Sequence, residues 1–170
     1  MRSATVCKIA MAAALMGGMA IPAVAGRLNS QKIQARYRKL EKKLQRSHGT
    51  RRARLLAKLA QLDLDRAYIN FQSQQVLAGN EALNRAQQHA QQAMLPLAQE
   101  AARGKSKDMR KVELSFHKIS FGLSGLVHIA PYPTAPRIRA VRAYIGQLQS
   151  KLLRWMFGPG VSFAPNPAQH

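Results

Sequence analysis

Residues 27–58 read RLNSQKIQARYRKLEKKLQRSHGTRRARLLAK, and the fold follows from the period inside this run. Ile33, Tyr37, Leu40 and Leu44 recur at i, i+4, i+7 and i+11, which is one stripe of an α-helix. Lys32, Arg36, Lys39 and Lys43 repeat at the same spacing on a neighbouring face, and Arg38, Lys42 and Arg46 carry the basic surface further round. The stretch holds twelve Lys or Arg and one acid, Glu41. Asn29 or Ser30 is the expected N-cap, because a short polar side chain accepts from the first free backbone N–H groups. Ser47-His48-Gly49-Thr50 reads as the stop, with Gly49 as the left-handed residue and Thr50 capping the next helix.

Downstream, the same period returns four times. A second helix is expected over Arg51–Leu77, with Leu55, Leu59, Leu62, Ile69 and Val76 on one face and Leu56, Ala60, Ala67 and Phe71 on a strip beside it. Arg66 interrupts the first strip one turn after Asp63, so the two should pair or Arg66 should reach out to water. Ala78-Gly79-Asn80 is the expected break, with Asn80 as cap. A third helix, Glu81–Arg103, buries Leu83, Ala86, Ala90, Ala93, Met94, Leu97 and Ala101, and Pro96 should kink it near Gln92–Met94. After the basic linker Gly104–Lys107, a fourth helix starts at Ser106 or Asp108 and reaches Ile129; Met109, Val112, Phe116, Ile119, Leu123 and Leu126 form its stripe. Pro131, Pro133 and Pro136 stiffen the next connection, and Thr134 is the expected cap of a fifth helix ended by Gly158-Pro159-Gly160. Ile138, Val141, Ile145, Leu148, Leu152 and Met156 face inward on that helix. No segment shows the clean alternation of a strand. The expectation is an all-α fold of about five helices in antiparallel hairpins forming a bundle, sequential neighbours packing together across short loops.

The organisation along the chain is set by its two ends. Residues 1–25 have the pattern of a cleaved secretory signal: Arg2 and Lys8, then the apolar run Ile9–Ala20, then Pro22 as a helix breaker before Ala23-Val24-Ala25. The A-x-A pattern of Ala23 and Ala25 predicts cleavage before Gly26; the alternative is an uncleaved anchor, for which Ile9–Ala25 is short. A single helical domain over 26–157 follows, and 158–170 is expected to be a disordered tail. Cys7 is the single cysteine, so the mature chain would hold no disulfide and no thiolate chemistry. A core drawn from about 145 residues suffices without staples.

Charge narrows the partners. The net charge of +20 falls to +18 without Arg2 and Lys8, and no acid follows Glu113. Such a surface is drawn to polyanions. In an exported, periplasmic or secreted bacterial protein these are lipid headgroups, lipopolysaccharide phosphate, acidic cell-wall polymer or an acidic protein; nucleic acid belongs to the wrong compartment. The expected anion-binding face comprises Lys32, Arg36, Lys39, Lys43, Arg38, Lys42, Arg46, Arg51 and Arg52. Two other readings compete with it: a helical protein-interaction or chaperone-like module, and polynucleotide binding.

Catalytic groups are sparse. His48, His89, His117, His128 and His170 include no pair at i, i+3 or i+4, and Asp63 and Asp65 lie on different faces of one helix. The expectation is a protein without catalytic residues, cofactor or metal.

Two resemblances attach to particular residues. Leu64–Met94, with Ala67, Tyr68, Phe71, the Gly79-Asn80 turn, Ala82, Ala86 and Ala93, resembles one helix-turn-helix of the tetratricopeptide type; no second copy is visible. Lys39-Leu40-Glu41-Lys42-Lys43-Leu44, Arg51–Leu64 and Leu148–Phe157 are similar to a group of small, exported, helical bacterial proteins of uncharacterised function. That second resemblance implies fold and compartment and brings no active site with it.

Overall fold

The computed structural model describes residues 21–103 and 109–158, with side chains from residue 31 onward. Five α-helices account for nearly all of it: α1 (Ile21–Gln45), α2 (Gly49–Gln72), α3 (Val76–Ala102), α4 (Met109–Ile129) and α5 (Ala135–Phe157). A single 3₁₀ turn, Tyr132–Thr134, precedes α5, and no strand occurs among the described residues. The all-α expectation holds.

The packing is a closed ring of four helices with the fifth laid outside. α2 lies against α3 and α4, and α5 lies against the same two, which completes the ring. α1 rests mainly on α2. The stripes explain the arrangement. Met109, Val112, Phe116, Ile119, Leu123 and Leu126 of α4 are all buried, as are Ile138, Val141, Ile145 and Leu152 of α5. They meet Leu56, Ala60 and Leu64 of α2 and Leu83, Ala90, Ala93 and Leu97 of α3 in one core. The short side chains on α2 and α3 let those two backbones approach closely. Leu55, Leu59 and Leu62 are buried outside that core, on the side of α2 that meets α1. α2 therefore has two apolar faces because it has neighbours on both sides.

Sequential neighbours do not always pack. α3 and α4 occupy opposite corners of the ring and share no substantial contact, contrary to the expectation from short loops. The closed ring gives α4 two other partners, and its single stripe is already covered by α2 and α5.

Several boundaries move, each for a local reason. α1 is helical from Ile21, the first described residue, so it extends ahead of Asn29 and Ser30 and takes in Pro22. The remainder of the expected signal, residues 1–20, lies outside the described residues. α2 begins at Gly49, whose φ of +55° confirms the left-handed glycine; Thr50 lies inside the helix and His48 holds the cap position. The largest shift is the α2–α3 turn, which falls at Ser73–Gln75 and not at Ala78–Asn80. Gln74 takes the left-handed conformation at φ 57°. Gln75 N–H then donates to Asn70 C=O at 2.8 Å and Gln74 N–H to Phe71 C=O at 3.0 Å, so the last carbonyls of α2 are satisfied without a glycine.

Gly79 has a different use. It sits in the first turns of α3 with the Phe71 ring against it, and an added Cβ would stand 2.6 Å from Phe71 Cδ1. Asn80 is inside the helix rather than capping it, so the tetratricopeptide-like turn is not where the sequence placed it. α3 runs on through Pro96 to Ala102. Thr134 precedes α5 but makes no side-chain cap bond; it is buried at the end of the 3₁₀ turn. Ser106, Asp108 and the tail 159–170 lie outside the described residues.

Candidate functional site

The site is built on the exposed side of the α1–α2 pair. The 3.6-residue period that turns Ile33, Tyr37, Leu40 and Leu44 toward α2 leaves them half-buried, and it drives the basic residues outward. Lys32, Arg36, Arg38, Lys39, Lys42, Lys43, Arg46, Arg51 and Arg52 are all exposed. Among the described residues none of the nine lies within ion-pair distance of a carboxylate. Arg52 donates to the Leu44 carbonyl at 3.3 Å, which ties the start of α2 to the end of α1.

Three cavities lie along this face among the described residues. One of about 470 Å³ is lined by Lys32, Ile33 and Arg36 of α1, by Leu64, Tyr68 and Ile69 of α2, and by Gly122 and Leu126 of α4. A second, of about 380 Å³, shares Arg36 and Asp65 with it and adds Lys39, Lys43 and Lys58. A third, of about 520 Å³, is gathered by Lys42, Lys43, Arg46 and Arg51 around the α1–α2 turn. The stripe Lys32, Arg36, Lys39, Lys43 thus borders a groove of adjoining cavities that share lining residues. Arg38 and Arg52 border none of these cavities, so the nine cations do not form one site. Asp65 is the carboxylate in the groove. Loss of surrounding water pushes its carboxyl pKa up, and the Arg36 charge pulls it partly back.

A second polar constellation surrounds the Asp63–Arg66 pair, and its other members are not legible in the sequence. Asp63 is fully buried between α1, α2 and α3. His89 Nδ1 lies 2.8 Å from its Oδ2, Arg85 Nε 3.5 Å and Arg66 Nη1 3.9 Å from its Oδ1. Tyr37 closes the seam: the Arg66 guanidinium lies 4.4 Å from its ring centre, and the His89 ring centre is 6.2 Å away. Burial, with Asp63 and Glu41 adding to it, pushes the Tyr37 phenol up to about 12 against the pull of Arg66 and Arg85. The expected Asp63–Arg66 pair is present. His89 was not assigned to it because Asp63 and His89 are 26 residues apart, and nothing local fixes the α2–α3 register.

The cations of this seam hold a buried carboxylate, and its aromatic side chain comes from α1. The seam fastens the basic helix to the ring. Among the described residues no cluster of His, Cys, Asp or Glu has the makings of a metal site, and no helix is long and apolar enough to cross a membrane. No protein-family model, curated protein or solved structure matches the chain.

Proposed function

We propose that this chain is a non-enzymatic, exported basic protein that binds anionic envelope surfaces electrostatically through the α1–α2 face. The supporting observation is the set of nine exposed cations with no carboxylate within ion-pair distance among the described residues. None of the nine is held in a close ion pair among the described residues, whereas Asp63, Glu81 and Glu100 are engaged by Arg66, Arg85, His89 and Arg103. The shared ligand chemistry is phosphate or carboxylate displayed at high density, as on lipid headgroups, lipopolysaccharide or an acidic cell-wall polymer. Export rests on the residue pattern of 1–25, with cleavage at Ala23-Val24-Ala25 before Gly26.

Each Lys or Arg near an anionic membrane contributes about 1 kcal/mol within a Debye length. Six engaged side chains give about 6 kcal/mol, a Kd on the order of 10⁻⁵ M. Co-sedimentation with anionic and neutral vesicles, at low and high salt, tests this. Binding is expected to anionic vesicles alone and to vanish in salt. Replacing Lys32, Arg36, Lys39 and Lys43 together by Glu should abolish it; unchanged binding by that variant would refute the proposal.

A second reading draws on α4. Leu114 and Phe121, two turns apart on one face, are 48% and 77% exposed. That favours a protein-interaction module if the Glu variant still associates with the envelope and a Leu114→Ser, Phe121→Ser variant does not.

A further inference from the structure

The three cavities of the basic face are chemically unequal. The one around the α1–α2 turn is bordered entirely by Lys42, Lys43, Gln45, Arg46 and Arg51. It offers charge and no apolar residue. The cavity between α1, α2 and α4 is divided instead. Its lip on α1 carries Lys32 and Arg36, both exposed, and its walls on α2 and α4 include Leu64, Tyr68, Ile69 and Leu126, with Asp65 and Gln72 of α2 also bordering it. Gly122 belongs to the reason it exists. A Cβ there would stand 2.7 Å from Leu64 Cδ2, so a glycine lets Leu64 seat against α4. Tyr68 stays 42% exposed at the mouth, an apolar ring that the fold leaves uncovered.

Purely electrostatic binding to a surface has no use for an apolar recess behind two of its cations. From this juxtaposition we propose that the α1–α2–α4 cavity takes the acyl chain of a single-chain anionic amphiphile, with the anionic head held by Lys32 and Arg36. The proposal deepens the anionic-surface reading and rests on the same cations. Charge complementarity selects the head. Lys32, Arg36, Lys39, Lys43 and Lys58 border this cavity and the one adjoining it, against the single carboxylate of Asp65. The volume of about 470 Å³ falls within the range of clefts that hold small ligands. With both of its cations on α1 and Leu126 and Gly122 on α4, the cavity sets an amphiphile end for end, head at Lys32 and Arg36 and chain toward Leu126.

The test uses the full chain and three soluble probes: lauroyl lysophosphatidylglycerol, glycerol 1-phosphate and dodecyl maltoside, titrated by calorimetry below micelle formation. Vesicle co-sedimentation is run in parallel. Lysophosphatidylglycerol should bind more than about tenfold tighter than either the head or the neutral surfactant alone. Two substitutions at exposed or half-exposed positions address the cavity without entering the core. Gln72→Trp narrows its mouth, and Tyr68→Asp sets a like charge against the head. Both should weaken the lysolipid by about tenfold or more; Gln72→Trp, which changes no charge, should leave anionic-vesicle binding within about twofold, whereas Tyr68→Asp, which sets a negative charge beside Lys32 and Arg36, should weaken the vesicles by less than it weakens the lysolipid.

Lysolipid affinity no better than that of glycerol 1-phosphate, or indifferent to both substitutions, would overturn the cavity assignment and leave the surface reading standing. Lysolipid binding with the expected variant losses, but no sedimentation with anionic vesicles, would support the cavity and remove the surface reading. Failure of both ligands would overturn both.

Discussion

The buried Asp63–His89 pair permits a sharp test of what holds α2, α3 and α1 in register. Asp63 is inaccessible to water, and its one short polar contact is to His89 at 2.8 Å. The guanidinium groups of Arg85 and Arg66 stand further off, at 3.5 and 3.9 Å. A hydrogen bond to a charged group contributes about 1.5–3 kcal/mol, and removing one partner of a buried pair costs about 3–5 kcal/mol when nothing else compensates. Two arginines do compensate in part, so His89→Ala should destabilise the protein by about 2–3 kcal/mol. Asp63→Ala should cost about 2 kcal/mol, since Arg85 and His89 both reach solvent once the carboxylate is gone. The double variant should cost clearly less than the two singles combined, with a coupling of about 1.5 kcal/mol. Urea unfolding followed by far-ultraviolet circular dichroism measures all three at constant m-value. On heating, His89→Ala should unfold about 5–10 °C lower. Single losses under about 0.5 kcal/mol, or additivity within about 0.5 kcal/mol, would refute the reasoning.

Two further outcomes follow from the packing. Gly79→Ala should lower stability by about 1 kcal/mol, because overpacking against Phe71 outweighs the helix propensity that alanine adds; Gly146→Ala, which meets no atom within 4 Å, should raise it by about 0.5–1 kcal/mol, and equal effects at the two sites in thermal unfolding would show that Phe71 yields freely. Tyr37 has a folded pKa of about 12 against 10.0 for the free side chain, so its contribution is intact below pH 10 and is lost as pH rises through 12. The stability difference between the native protein and Tyr37→Phe should therefore shrink across that window, and a difference constant from pH 9 to 12 would contradict the placement of Tyr37 in the seam.

The helices themselves were legible because burial writes a period into the chain. Every residue of the stripe Met109 to Leu126 on α4 is buried, and the paired apolar faces of α2 fit a helix with more than one neighbour, which here are α1, α3 and α4. The α2–α3 turn was not legible. Glycine and asparagine at 79 and 80 suggested it, but Gln74 supplies the left-handed residue, at a cost that the three satisfied carbonyls of Ile69, Asn70 and Phe71 offset. Gly79 was needed for space instead, a demand made by Phe71 across the hairpin and invisible to a local reading. The basic stripe could be placed on one face from spacing alone. Its association with Leu64, Tyr68, Gly122 and Leu126 depends on which helices become neighbours. The same limit hid His89, whose partner lies on another helix.

The ring also dictates an order of assembly. The α2–α3 and α4–α5 seams join helices that are consecutive or separated by one 3₁₀ turn, so they can form as local hairpins. The α2–α4 and α3–α5 seams join distant parts of the chain and must await a second, slower loop closure. Folding should therefore proceed by docking two preformed hairpins, with α1 added to a face of α2 that no ring helix covers. In native-state hydrogen exchange, the amides of α1 should open at lower free energy than those of α2, so that the helix carrying the charge is the first to come away from the ring and the last to return.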